Sequence, residues 1–294
     1  MPLKGWICPA HGEEEGRTNE FDYCVTQCSK PCVAAPVLQA LKQVEQEDTH
    51  VGKRISVTML TAGCKRKTLL ERNVSYYLDP SWRIPTFRGT LIHSIIEKAA
   101  KELTRLPEFP WEIELSMALP VETESGKWIL NGMLDAFDPR TLTIYDLKTL
   151  QEYAIFKMVT GGNPGMWSSH IPEYYVKQLN LYRLMAKTLE LFEAKHLRLQ
   201  IVTFGDLVLT GTTRNHRFKK GFKWVEEEYE LPDVPILDDD TVRHWIMTEG
   251  DEWFRILYLN EPAPVCSHEN SWLCKKCPFF ETEHCPNPDE ERME

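Results

Sequence analysis

Three charged side chains, Asp135, Asp146 and Lys148, stand at a spacing that could assemble one reaction centre. Alternation along an extended strand puts residues two apart on one face, so Asp146 and Lys148 point together, and a hairpin would carry Asp135 alongside them. Two carboxylates so placed would hold Mg2+ or Mn2+, hard cations that take oxygen ligands. An amine beside them could orient or help deprotonate the attacking water, and the chemistry implied is phosphodiester hydrolysis. Taken alone, an Asp-x-Lys at a strand end is an ordinary surface ion pair. Its neighbours in the chain decide how it is read.

Upstream, Gly89-Thr-Leu-Ile-His93 places a histidine on a helix, and Asp135 closes a Gly132-Met-Leu-Asp135 run. Downstream, Gln178 and Tyr182 lie four apart and so share a helix face. In order, Gly-x-x-x-His, Gly-x-x-Asp, Asp-x-Lys-Thr and Gln-x-x-x-Tyr resemble the motif series of RecB-type PD-(D/E)XK nucleases, including the iron–sulfur exonucleases of CRISPR adaptation and the AddB nuclease. The resemblance spans roughly residues 56 to 285. It implies an α/β restriction-endonuclease-like core, a mixed sheet flanked by helices, that hydrolyses DNA at ends, single-stranded or resected. It also implies His93 as a metal ligand, Asp135 and Asp146 as metal carboxylates, Lys148 as the catalytic lysine, and Gln178 and Tyr182 as contacts to DNA or the site. Leu147, between acid and lysine, would offer its backbone carbonyl. A recombination or CRISPR-adaptation protein is the partner such an enzyme would meet. Glu114, on the strand before Asp135, could join the site, although a solvated carboxylate is the plainer reading.

The nine cysteines fall at the two ends of the chain, with Cys64 apart. Such clustering points to metal binding in a reducing compartment rather than to a disulfide framework. Cys274-Lys-Lys-Cys277 and Cys285 put three thiolates close enough to share a centre. By the resemblance, Cys64 supplies the fourth ligand of a [4Fe-4S] cluster that clasps the ends of the nuclease domain; Cys266 would instead complete a local zinc site. At the other end, Cys8, His11, Cys24, Cys28 and Cys32 offer five candidates for one tetrahedral structural Zn2+, with Cys28 and Cys32 competing for the last place.

These groups need elements to hold them. Residues 1 to about 35 carry too few apolar residues in period to form a core, so a small zinc module with a linker helix over 37–47 is expected in residues 1–50, and the nuclease domain in 51–294. The apolar residues Ile92, Ile95, Ile96, Ala99 and Leu103 recur at helical spacing within 87–105. Strand-like runs at 112–119, 128–137 and 142–147 suggest an antiparallel meander, with Asp138-Pro139-Arg140 as a turn. A helix over 173–194, strands at 197–204 and 207–213, and a helix over 241–259 complete the pattern.

With 42% hydrophobic and 27% charged residues the chain can bury a full core, and no apolar run reaches membrane-spanning length. No secretory signal is legible at the start, so a cytoplasmic protein is expected. A net charge of −10 argues against nonspecific coating of nucleic acid while leaving room for a local basic track. Arg214 to Trp224 interleaves base with aromatics and suits that role as well as it suits a basic strand pair. A noncatalytic nucleic-acid-binding scaffold of the same fold, an endonuclease, and an iron–sulfur redox protein are the rival readings.

Overall fold

Two runs of alternating side chains joined by a two-residue turn at Glu124-Ser125 dictate the longest ladder of the molecule. Residues 112–123 and 126–138 pair antiparallel over nearly their whole length. The computed structural model describes residues 3–7, 18–27, 35–43, 53–106, 110–150, 171–203, 208–210, 215–220, 223–228, 233–264, 274, 277–280 and 282–285. In chain order they form β1 (Leu3–Ile7), β2 (Thr18–Glu20), α1 (Phe21–Thr26), α2 (Ala35–Gln43), β3 (Arg54–Ser56), α3 (Val57–Leu60), α4 (Lys65–Asn73), β4 (Tyr76–Leu78) and α5 (Pro80–Leu103). There follow β5 (Glu112–Thr123), β6 (Gly126–Asp138), β7 (Thr143–Leu150), α6 (Glu173–Thr188), β8 (His196–Thr203), β9 (Val208–Thr210), β10 (Asn215–Lys220), β11 (Lys223–Glu228) and α7 (Asp239–Tyr258).

The chain divides into two units: residues 1–52, 62–91 and 255–294 form one, and 53–61 and 92–254 the other. The physical reason lies in the core of the first unit. Trp6, Phe21, Leu38 and Leu41 cannot make a core alone, and they share one with Tyr76, Leu78, Phe279 and Cys285. Edge-to-face contacts fix this core, Trp6 on Phe21 at 5.1 Å and Tyr76 on Phe279 at 5.2 Å between centroids. β1 lies between β2, antiparallel, and β4, parallel.

In the second unit β6 is the organising strand. β5 covers one edge, so β3 and β7 must divide the other. β3 pairs parallel to Ile129–Asn131, β7 pairs antiparallel to Ala136–Asp138, and β8 pairs parallel to β7. The expected meander is β5–β6–β7, and α6 is the crossover that a parallel β7–β8 pair requires. The sheet is mixed and flanked by helices, as expected.

α5 departs from its apolar pattern. Ile95 is 58% exposed, and Leu91, Ile96 and Leu103 are also on the surface. The α5 side chains that reach the sheet are polar ones, His93 to β7 and Lys101, itself 58% exposed, to Glu114 on β5.

Candidate active site

Between Asn131, the last residue paired to β3, and Ala136, the first paired to β7, one edge of β6 is left by both neighbours. The segment that fills this gap is Gly132-Met133-Leu134-Asp135. Where a ladder opens, backbone groups need other partners, and here a side chain supplies one: Asp135 Oδ2 accepts the Leu147 N–H at 2.6 Å. The Leu147 carbonyl lies 2.9 Å from His93 Nε2, and His93 Nδ1 is 3.9 Å from Asp135 Oδ1. Both backbone groups of Leu147 are therefore engaged by the residues that converge on the split.

Asp146, the next residue back on β7, is 2% exposed. Burial drives its carboxyl up to about 6; the Lys148 ammonium opposes the rise and the Asp135 carboxylate adds to it. Lys148 Nζ stands 2.6 Å from Asp146 Oδ2, close enough for charge pairing but out of line for a hydrogen bond.

α6 faces two ways. Tyr175, Gln178 and Tyr182, at positions i, i+3 and i+7, lie on the site side, where Gln178 Nε2 donates to the Tyr182 hydroxyl at 3.2 Å. Burial raises the Tyr182 phenol, helped by the charges of Asp146 and Asp135. On the other side Asn180 and Arg183 hold the segment 235–239: Asn180 Nδ2 donates to the Val176 and Pro235 carbonyls and Oδ1 accepts from Leu237 N–H, each at 2.9 Å. Arg183 adds bonds to the Leu237 carbonyl and to Asp239.

Gly132 joins two of the motifs. A Cβ there would come within 2.7 Å of the Tyr182 ring and 3.0 Å of Val57, so the strand can approach α6 this closely only with hydrogen at that position.

Glu114 does not join His93 and Asp135. It sits at φ +51°, a left-handed conformation inside a strand, between the pairs Ile113↔Ala136 and Leu115↔Leu134. Its carboxylate meets Lys101 and Glu97 instead. Burial raises the Glu114 carboxyl, with the Glu97 contact adding to it, while a hydrogen bond from Lys101 lowers that of Glu97.

Tyr174, Tyr175 and Glu97 were not singled out by sequence. Tyr175 could have been found by extending the Gln178–Tyr182 face one turn toward the start of the helix.

The cysteine sites are described in part. Cys277 and Cys285 carry free thiols, whereas Cys64 is disulfide-bonded. Cys24 and Cys277 pack against the same core that buries Cys285. The Cys277 N–H donates to the Cys274 carbonyl at 2.9 Å and the Cys285 N–H to the Thr282 carbonyl at 3.0 Å, one tight turn joining Cys274 to Cys277 and another ending at Cys285. Burial raises the Cys285 thiol, Cys277 and Cys274 add to the rise, and Arg66 opposes it. Arg66 lies two residues after Cys64, whose Sγ caps α4 by accepting the Lys67 N–H at 3.3 Å.

Cys8, His11, Cys28, Cys32 and Cys266 lie outside the described residues, so only Cys24 of the expected zinc set is placed. The side chains of the basic track at 214–224 also lie outside them. Its backbone forms the β10–β11 hairpin, with Arg217 and His216 at register positions opposite Glu226 and Glu227. Among the described residues no three His, Cys, Asp or Glu side chains stand together as a ready metal site, and no helix is long and apolar enough to cross a membrane.

No family model matches the chain and no curated protein does. Among solved structures it is similar to one described as "Crystal structure of SSO0001", at a TM-score of 0.47 and 15% identity, covering 83% of this chain and 91% of that one.

Proposed function

We propose that the chain is a Mg2+- or Mn2+-dependent deoxyribonuclease of the RecB-like PD-(D/E)XK kind, acting on DNA ends. The observation that carries this reading is the convergence of His93, Asp135, Asp146, Lys148 and the Leu147 carbonyl on the split beside β6. Octahedral ligands about 2.1 Å from a small divalent cation lie about 3.0 Å apart along an edge. The 2.9 Å from His93 Nε2 to the Leu147 carbonyl fits such an edge. The side chains alone do not complete the set, so the donors would be His93, Asp135, the Leu147 carbonyl and Asp146, the last turning from Lys148 toward the cation. A cation held there supplies Lewis acidity and a more acidic water.

The chain's own groups do the rest. Asp135 fixes the Leu147 peptide, Lys148 brings positive charge to a phosphate that lacks it, and Gln178 with Tyr182 walls the site. In the hydrolysis a water oxygen bonds to phosphorus, one P–O ester bond breaks, and the departing oxygen takes up a proton. End-labelled single- and double-stranded DNA incubated with Mg2+ or Mn2+ tests the reading: the wild-type protein should shorten it, EDTA should stop it, and Lys148→Ala should lose cleavage while keeping most DNA binding. Equal cutting by Lys148→Ala would sink the assignment.

The same reading gives Cys64, Cys274, Cys277 and Cys285 a [4Fe-4S] cluster, for which Cys64 must be reduced, since a sulfur in a disulfide cannot ligate iron. The two C-terminal turns and the nearness of Arg66 to Cys285 support it. Protein purified anaerobically should be brown with about four irons per chain. Iron should be lost in Cys285→Ala and Cys64→Ala and kept in Cys266→Ala; a wild type holding only zinc would overturn the cluster.

A further inference from the structure

The first turn of α6 brings two tyrosines to the carboxylates. Tyr175 is buried, and its ring centroid lies 5.4 Å from Lys148 Nζ, a cation–π contact. Tyr174 packs on it with centroids 4.0 Å apart at 50°, yet is 46% exposed. The two phenols lie beside each other, and both feel the charge of Asp146. Isolated exposed aromatics are ordinary on protein surfaces. This one differs in being fixed from behind by a buried ring that is itself fixed against the Lys148 amine.

We propose that Tyr174 is a stacking platform for an unpaired DNA base next to the phosphate being cut, and that Tyr175 is a positioning residue that holds both Tyr174 and Lys148. The proposal rests on the nuclease reading of the Asp135–Asp146–Lys148 site and adds a substrate contact to it. A paired base inside a duplex has both faces covered, whereas a terminal or frayed base offers a free face to an aromatic ring, whatever its identity. Among the described residues Lys177, one turn beyond Tyr174, pairs with Glu173 at 3.1 Å and lies 5.1 Å from the Trp245 ring. An ion pair of this surface kind is weak enough for a phosphate to displace.

Equilibrium binding by the full-length protein, with Ca2+ in place of Mg2+ to hold cleavage off, tests the platform. The probe is a single-stranded oligonucleotide with 2-aminopurine, or an abasic residue, placed in turn at successive terminal positions. Tyr174→Ala should weaken binding about tenfold and abolish the 2-aminopurine quench at one position, while Tyr174→Phe stays within about twofold of wild type. With the abasic residue at that position, wild type and Tyr174→Ala should bind alike, an outcome that a merely structural role for Tyr174 would not produce. Binding by Tyr174→Ala within about twofold of wild type, an undiminished defect on the abasic ligand, or no binding by the wild type would each overturn the platform. Tyr174-dependent binding by a wild-type protein that cuts nothing in Mg2+ or Mn2+ would leave the stacking contact standing and remove the nuclease reading instead.

Discussion

Replacing Asp146 by asparagine should abolish cleavage and, at neutral pH, make the protein more stable. The carboxyl is 2% exposed and burial pushes it up to about 6, against an ordinary value of 3.8. Below pH 3.8 it is protonated in folded and unfolded chains alike and costs nothing. Between 3.8 and about 6 the unfolded chain ionises while the folded one keeps its proton, so stability falls as pH rises through that window. Above it both are ionised and the penalty stays constant, on the order of 3 kcal/mol at about 1.4 kcal/mol per pKa unit.

An amide of the same shape has no proton to lose, and because the rise to about 6 is already net of the Lys148 attraction, the gain is of the same size, about 3 kcal/mol. Thermal melts of Asp146→Asn and wild type, without divalent cation, should therefore differ at pH 7.5 and converge near pH 4. Cleavage should drop by about 10^3-fold or more, the scale on which removing one charge-stabilising group acts. Identical melting points at pH 7.5 would show that the native fold carries no such penalty. The same titration predicts weaker activation by Mg2+ below pH 6, where proton and cation compete for one carboxylate.

Asn180→Leu should be among the most destabilising single changes in the second unit. The side chain is fully buried and all three of its amide bonds are made, two of them to the Pro235–Leu237 segment. Leucine is of similar size, so little cavity forms, but the Leu237 N–H and the Pro235 carbonyl lose their partners. Both groups are partly buried, and at about 1–3 kcal/mol for each one left unsatisfied the loss is about 2–6 kcal/mol. Urea denaturation should show a lower midpoint with an unchanged slope, and a midpoint within error of wild type would mean that the segment finds other partners. Asp146→Asn and Asn180→Leu thus act on opposite sides of α6, the site face and the face that holds Pro235–Leu237, and in opposite directions on stability.

The strands and helices around the site were legible because their signals are local. Alternation marks β5, β6 and β7, and the four-residue spacing of Gln178 and Tyr182 marks one face of α6. What α5 reaches was not legible: periodicity locates an apolar stripe but cannot say that His93 and Lys101 find partners on β7 and β5, more than ten residues away. The first unit was hidden for a related reason. Trp6 and Phe21 find their core in Tyr76, Leu78 and Phe279, and no window of sequence contains all of them. The gap along β6 was equally invisible, since register is a property of pairs of strands.

Because Leu147 serves the site through its N–H and its carbonyl, the atoms that matter there are ones every amino acid but proline carries in full. A substitution scan would score the position only for the fit of its buried side chain and record an ordinary hydrophobic site. Of the groups converging on the split, this one is out of reach of side-chain genetics, and an amide-to-ester replacement of the Leu147 N–H would be needed to test its part in the proposed chemistry.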